Sequence, residues 1–462
     1  MWAHQKRELE QNAHKSRLAL HWSPRTGKTR AAAEDLKKSG IKRALVTAPL
    51  SVCPDWVAML EALGFEVFPA YKYPVSKLVE LRKFRQQGCV IVINDDKLDR
   101  GCEELLRFDP QACYFDEAHR FKAPAGRRSK AMRRLAFAAQ RVRLLTGTPA
   151  PNHYGDLWAP MAALSREDFG YTYASFRDKY LITNPTFPSQ VIGHKNTDQL
   201  QTLILRYASI VRREDIFGPD DWQIVTRNVE LPSRARKLYD DFAREWMLDA
   251  PNLSASNTLT RILRLREIAS GFVADNQTKL VEILHSVLID RLVADLSEVV
   301  ASGEKAIVYH QFRWEGAQAA IKARTELRVP VYEYHGDTPP DERKRIERDF
   351  NETPGSRIAV VQIQSGGTGI SFADAGHLMF LSSTFSFAEM EQARDRVYAP
   401  DPALGKGKRR VIYSYRATNT IHDFIGDVLD RKGNVHEALR NADKEAIAYG
   451  RFQTRRQPKS VS

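Results

Sequence analysis

The chain has 462 residues, of which 43% are hydrophobic and 10% aromatic, which excludes a fibrous or disordered polypeptide and a single small core, and favours two large domains. A count of 70 Lys and Arg against 57 Asp and Glu leaves a formal charge of +13, so a polyanion, nucleic acid first, is the expected partner. The four cysteines (Cys53, Cys89, Cys102, Cys113) form no CxxC pair, and no apolar run approaches the ~18 residues of a membrane helix, so neither zinc, a disulfide framework nor a membrane is expected.

Strand signals begin at residues 17–22 and lead into a Gly-Lys-Thr turn, with a helix over 29–39. Further strands are expected at 44–49, 90–94, 113–115 and 142–145, separated by helical periods, which is the pattern of βαβ units and a parallel sheet. From about 153 to 275 strand signals thin out and helical ones dominate, as at 238–247 and 257–270, with a loop at 184–188. The α/β pattern returns with strands at 306–309, 331–334, 358–361, 377–381 and 410–413. The expected fold is α/β, two parallel-sheet domains joined by a mostly helical connector. Its divisions are 1–218 with a helical extension from about 153, a connector at 219–275, a second domain at 276–450, and a basic tail at 451–462.

Three motifs in order carry the chemistry. In Ser23-Pro24-Arg25-Thr26-Gly27-Lys28-Thr29 a strand turns into a helix, so backbone N–H groups can cradle phosphate oxygens, with Lys28 on the outer phosphates and the Thr29 hydroxyl at a Mg²⁺ position. Asp116-Glu117-Ala118-His119 ends another strand. Asp116 suits Mg²⁺, and Glu117 suits the general base that polarises an attacking water. Thr146-Gly147-Thr148-Pro149 adds hydroxyls and a tight turn at the same sheet edge. Together they read as a motor that hydrolyses a nucleoside triphosphate. Between 120 and 134 lie Arg120, Lys122, Arg127, Arg128, Lys130, Arg133 and Arg134 and no acidic residue; the segment is either a phosphate-binding surface or a solvated helix face. Lys406, Lys408, Arg409 and Arg410 form a second basic cluster, in a flexible loop or a plain surface hairpin.

The ordered set resembles superfamily-two helicase-like ATPases of the Swi/Snf-related group, with the Asp-Glu-Ala-His order of a DEAH box. Gln5 fits the adenine-reading Gln. Thr47-Ala48-Pro49 with Trp56, then Val92-Ile93-Asn94-Asp95-Asp96, fit the motifs that follow the phosphate loop. Leu145-Thr146-Gly147-Thr148-Pro149-Ala150-Pro151-Asn152 matches the third motif, Ile210-Val211-Arg212-Arg213 the basic end of the first lobe, and Leu231-Pro232 with Leu238-Tyr239 the start of the linker. In the second half Tyr309-His310-Gln311-Phe312 is similar to motif four, and His335-Gly336-Asp337 to the segment after it. Gln364-Ser365-Gly366-Gly367-Thr368-Gly369-Ile370 is similar to motif five, and Gln392-Ala393-Arg394-Asp395-Arg396 to motif six. The match runs from about residue 5 to 425.

The resemblance implies two RecA-like lobes and an ATP site made by Gln5, Arg25, Thr26, Gly27, Lys28 and Thr29, completed by Gly369 and Arg396. Lys28, Asp116, Glu117 and Arg396 would be catalytic, with Mg²⁺ at Thr29 and Asp116. Thr47, Asn94, His335, Gly336 and Thr368, with Arg127 and Arg128 from the basic segment, would grip nucleic-acid phosphates without reading sequence. The implied activity is ATP-driven translocation on, or remodelling of, double-stranded DNA. Two departures stand out: Arg25 occupies a position usually taken by Gly, and the second arginine of motif six is Ala399. An arginine finger contributes ~10³–10⁵ in rate, so its loss implies slow turnover, a substitute such as Arg394, Arg409 or Arg410, or a nucleotide-gated DNA-binding protein. A strand-separating DNA or RNA helicase is the further alternative. The motif set leaves little room for a targeting module, so a separate protein partner is expected to supply targeting. The economical length suggests a bacterial or phage-infected cytoplasm, or a nucleus if the source is eukaryotic.

Overall fold

A computed structural model describes residues 1–150, 153–185, 191–218, 222–248, 255–274, 281–363, 371–382, 384–385, 387–397, 410–431, 435, 438–439 and 442–450. The chain divides into two compact units, the first built on Met1–Pro219 and the second beginning at Asp220.

In the first unit the strands are β1 (Arg17–Trp22), β2 (Ala44–Ala48), β3 (Val67–Phe68), β4 (Val90–Asn94), β5 (Ala112–Phe115), β6 (Arg141–Thr146), a hairpin of β7 (Leu181–Thr183) and β8 (Val191–His194), and β9 (Ala208–Val211). Seven of them form one sheet in the order β3-β4-β2-β5-β6-β1-β9, with every neighbouring pair parallel. Strands β2, β4 and β5 are buried along their whole length, as a parallel sheet covered on both faces requires. Alternate residues feed two cores. Leu45, Ile93 and Phe115 join the helices at Leu98–Phe108 and Arg127–Ala138, while Val46, Val92 and Tyr114 join α1 (Ala3–Gln11), α2 (Lys28–Ser39) and α3 (Cys53–Ala62).

The second unit contains β10 (Trp222–Val229), a hairpin of β11 (Phe272–Ala274) and β12 (Val281–Ile283), and then β13 (Ala306–His310), β14 (Val331–Tyr334), β15 (Ile358–Gln362), β16 (His377–Phe380) and β17 (Arg410–Ala417). Its six-stranded sheet runs β10-β17-β16-β13-β15-β14, again wholly parallel. The α/β class with two parallel sheets is therefore as expected. The four cysteines are free and buried. Among the described residues no helix is long and apolar enough to cross a membrane.

The segment expected as a mostly helical connector, 219–275, holds helices at Ser233–Leu248 and Ala255–Ala269 but also β10, whose eight residues pair in register with β17. Its sequence, WQIVTRNV, mixes polar with apolar residues because it is a sheet edge, and Ile224 is exposed. Strand β9 is also not expected from the sequence: it is an edge strand of only four residues, and Ile210 faces solvent. The loop expected at 184–188 falls mostly outside the described residues.

A buried ionic group ties the phosphate-loop helix to the sheet. Asp35, on α2, accepts from Arg141 at 2.6 and 3.0 Å, lies 3.1 Å from Arg143 and accepts from Tyr114 Oη at 2.8 Å. Burial alone would push the Asp35 carboxyl up, but the Arg141 hydrogen bonds and the two guanidinium charges outweigh it and hold it below the usual aspartate range. Its stabilisation is thus present above the ordinary aspartate pKa and is lost as pH falls through the depressed folded-state value. Asp35→Ala leaves two desolvated cations unpaired and is expected to cost about 3–5 kcal/mol at neutral pH, with a smaller difference from the parent in acid. Urea unfolding followed against pH measures both; a loss below ~1 kcal/mol at neutral pH would contradict the role given to this network.

Candidate nucleotide site and nucleic-acid-facing residues

The phosphate loop is shaped by two left-handed residues between β1 and α2. Arg25 has φ 63° and Gly27 has φ 81°, with Gly27 serving as N-cap of α2. Arg25 keeps the left-handed backbone that glycine adopts without strain, so the departure at this position leaves the turn intact. At Gly27 a side chain is excluded twice over, by the positive φ and by the Gln5 amide, whose Nε2 would lie 1.9 Å from an added Cβ. Gln5 is buried, and its Nε2 donates to Thr26 O and Gly27 O, both at 3.3 Å. His4 Nε2 donates to Thr26 O at 2.8 Å, and Thr26 Oγ1 donates to Ser23 O at 2.7 Å. Lys28 Nζ donates to Trp22 O at 2.9 Å and Ser23 O at 3.4 Å, so the ammonium rests on the loop's own carbonyls.

Three further elements brace this loop. Ser23 N donates to Val211 O at 2.9 Å and Arg213 N to Ser23 Oγ at 3.2 Å, which fastens the Ile210–Arg213 segment to it. Trp22 Nε1 donates to Ser209 Oγ, which donates to Glu8 Oε2, both at 2.7 Å, tying β9 and α1 together behind β1. Gly147 of the Thr-Gly-Thr-Pro turn lies against Pro24, whose Cδ would be 2.8 Å from an added Cβ.

The paired carboxylates sit at the end of β5. Asp116 is buried, its N donates to Thr47 O at 2.7 Å, and its Oδ2 accepts from Trp56 Nε1 at 2.8 Å. Burial, and after it the neighbouring Glu117 carboxylate, push the Asp116 carboxyl up. Glu117 takes the left-handed conformation at φ 47°, a strain typical of functional positions. Desolvation works against its charge, but the His119 hydrogen bond and the His119, Lys28 and Arg120 charges outweigh it and hold Glu117 below the usual range. His119 Nδ1 lies 3.3 Å from Glu117 Oε2, 3.0 Å from Thr146 Oγ1 and 3.5 Å from Thr148 Oγ1, so one imidazole joins the carboxylate to the Thr-Gly-Thr-Pro turn. The Thr29 hydroxyl and the buried Asp116 carboxylate are hard oxygen donors of the kind that take a divalent cation with several waters, so these residues fit Mg²⁺.

Nothing in the sequence around Trp56 or His119 shows what these side chains bond. The signal available was chemical: a tryptophan inside an apolar helix needs a partner for its N–H. Other expected residues separate into groups. Thr47 and Asn94 end adjacent strands, and Thr47 Oγ1 and Asn94 Oδ1 are buried with no hydrogen-bond partner among the described residues, as groups awaiting a ligand would be. Arg128 is instead paired with Asp96 at 2.7 Å and Asp95 at 3.4 Å, and Arg120 with Asp95 at 2.5 Å; Arg134 pairs with Glu103 at 2.7 Å. Much of the basic segment is thus neutralised by the acidic residues that follow β4. Arg127 alone of the two named arginines reaches solvent freely, 89% exposed and 3.8 Å from Asp99.

In the second unit His335 and Gly336 follow β14, with His335 Nδ1 buried and without a partner among the described residues, and Gly336 open to approach. Arg396 is buried. Of the substitutes considered for the missing arginine, Arg394 is bonded to Glu391 and lies over Trp222, and Arg410 NH2 donates to Val397 O at 3.0 Å. Thr368, Gly369, Ala399 and Arg409 lie outside the described residues.

Gly27→Ala is expected to cost about 1–3 kcal/mol, from left-handed strain and collision with Gln5. Added to Gln5→Ala, the same change should cost less, because the collision is gone. Thermal and urea melting of the two single variants and the double variant test this, and strict additivity would contradict the contact.

The family model for the SNF2-related domain matches residues 18–318, and that for the helicase conserved C-terminal domain matches 288–399. The chain is 24% identical over 419 residues to the mouse (Mus musculus) protein described as DNA annealing helicase and endonuclease ZRANB3, covering 87% of this chain and 37% of that protein. It is 23% identical over 400 residues to the Xenopus tropicalis SWI/SNF-related matrix-associated actin-dependent regulator of chromatin subfamily A-like protein 1, covering 84% and 39%. The chain therefore spans well under half the length of these relatives. A solved Sulfolobus solfataricus SWI2/SNF2 ATPase core in complex with dsDNA aligns with a TM-score of 0.42 at 19% identity, over 97% of this chain and 96% of that one. The SNF2-related match extends over more than half of the chain and takes in the phosphate loop, the paired carboxylates and the Thr-Gly-Thr-Pro turn: the chain belongs to the SNF2-related family of helicase-like, ATP-hydrolysing enzymes.

Proposed function

We propose that this chain is a DNA-dependent ATPase that uses hydrolysis to move along or remodel double-stranded DNA without reading its sequence. The observation that carries the proposal is the convergence, at one sheet edge of an SNF2-related chain, of the glycine-shaped phosphate loop with Asp116 and Glu117. In this account triphosphate oxygens replace the Trp22 and Ser23 carbonyls as partners of Lys28 and accept from backbone N–H groups at the start of α2. Thr29 and Asp116 would hold Mg²⁺, which supplies neutralisation of phosphate charge. Glu117, kept ionised, takes the proton of the attacking water, and His119 aims it. The hydroxyl of Thr47 and the amide of Asn94 supply phosphate contacts that carry no sequence information. An intracellular setting and a separate targeting partner belong to the same proposal.

One observation favours a second reading, a nucleotide-gated DNA-binding protein with little turnover. Arg396 is buried, and Arg394 and Arg410 are engaged by Glu391 and Val397. ATP hydrolysis by the protein alone, with duplex DNA, with single-stranded DNA and with RNA separates the two. Stimulation by duplex DNA that is lost in Lys28→Ala is expected; nucleotide-dependent DNA binding without turnover would establish the second reading. Glu117→Gln is expected to retain ATP binding and lose about 10²–10⁴-fold in turnover. Unchanged turnover in that variant would remove Glu117 from the role of base.

A further inference from the structure

The second unit buries a polar group that the nucleotide chemistry does not use. Glu315 is fully buried at the third position of the helix Arg313–Leu327, directly after the Tyr309-His310-Gln311-Phe312 motif. Its Oε2 accepts from Ser382 Oγ at 2.6 Å and from Phe312 N at 3.5 Å. Ser382 Oγ in turn accepts from Gln311 N at 2.8 Å, so the motif's turn is held through one hydroxyl and one carboxylate. The other oxygen, Oε1, and the Ser270 hydroxyl, which acts on this carboxyl, are both buried, and among the described residues neither has a partner at full hydrogen-bond geometry.

The charge facing it comes from Arg266, on the helix Ala255–Ala269. That guanidinium is buried and lies 5.2 Å from the Phe312 ring centroid and 4.5 Å from that of Phe385. From the last strand and the helix after it come Arg416, paired with Asp427 at 3.3 Å and Asp430 at 2.7 Å, and His422. Arg266, Ser382, Tyr415, Arg416, His422 and Ile425 line a cavity of about 10 Å³, room for one water, and His422 Nε2 and Arg416 Nε are buried with no hydrogen-bond partner among the described residues.

We propose that Glu315 is a positioning residue that fixes the Gln311–Phe312 turn through Ser382 and so holds the Phe312 ring against the Arg266 guanidinium of the helix Ala255–Ala269, so that these segments hold or loosen together. Segments distant in sequence meet here, and a carboxylate buried at this point is costly unless it serves them. The value of the fastening to catalysis rests on the DNA-dependent ATPase proposed above; the fastening itself does not.

The same burial makes the device responsive to pH. Burial pushes Glu315 up to about 7, against the hydrogen bonds from Ser382 and Phe312 and the Arg266 charge. Its neighbours do not titrate there: burial holds His422 near 3 and His310 near 4, and Arg266 at about 10. A raised acid pKa means that the protonated form is the one the fold favours, so the cost of holding Glu315 grows as pH climbs from the ordinary glutamate range to about 7 and is constant above.

Hydrogen–deuterium exchange on the whole protein without nucleotide tests the proposal, in peptides covering 309–316 and 258–269. Glu315→Ala and Arg266→Met are each expected to raise exchange in both segments together, by about tenfold. In the parent, protection of both segments, corrected for intrinsic exchange, should fall as pH climbs from the ordinary glutamate range to about 7 and stay level above it, and Glu315→Gln should abolish that fall while keeping the Ser382 contact. Loosening confined to the segment that carries the substitution, or the same fall in Glu315→Gln as in the parent, would overturn the proposal. Should Glu315→Ala not fold, Arg266→Met and Glu315→Gln still decide it. A parent protein without ATP turnover would instead remove the proposed function and leave this readout standing.

Discussion

Everything at the first sheet's edge depends on the chain reversing hand between β1 and α2. At Gly27 the backbone passes through the left-handed region, which turns the first N–H groups of α2 outward as a positive, hydrogen-bonding cradle. Only glycine fits, because the Gln5 amide occupies the place of a side chain. The segments that press on the loop are those a phosphate sensor needs: α1 through Gln5 and His4, β9 through Val211 and Arg213, and the Thr-Gly-Thr-Pro turn through Gly147 against Pro24. A change in what the loop holds is therefore felt at once by three elements.

The electrostatics divide the labour between two adjacent carboxylates. Burial and a like charge raise Asp116, a group that gains from a cation, while His119, Lys28 and Arg120 keep Glu117 ionised and available to a proton. His119 also reaches Thr146 and Thr148, so the state of the carboxylate and the shape of the turn are linked by one ring. Deeper in the unit, Asp35 with Arg141, Arg143 and Tyr114 locks α2 to β5 and β6, which fixes the distance between the loop and the carboxylates from behind.

Much of this was legible in the sequence because parallel strands buried on both faces are continuous apolar runs, and because chemistry collects where they end. The central strands β2, β4, β5, β13, β15 and β16 are legible on that basis, with Asp116 and Glu117 at the tip of β5 and Lys28 beyond that of β1. Strands β9 and β10 are not: β10 is a half-exposed edge with polar residues such as Gln223 and Thr226, and β9 is an edge strand of only four residues that includes Ser209, whereas the edge strand β14 is legible from its Val331, Tyr332 and Tyr334. Contacts between distant segments were also hidden. Nothing local links Gln5 to Gly27 or Trp56 to Asp116, and nothing local decides whether the basic run from Arg120 to Arg134 is a phosphate-binding surface or a solvated helix face; the fold sets Asp95, Asp96 and Glu103 beside Arg120, Arg128 and Arg134.

The central claim, that this sheet edge drives motion on intact duplex DNA, is tested most directly by displacement of a third strand from a triplex, with the underlying duplex labelled as well. The account predicts ATP-dependent release of the third strand while the duplex strands stay paired. Release of a duplex strand, or no release of either while ATP is consumed, would contradict it.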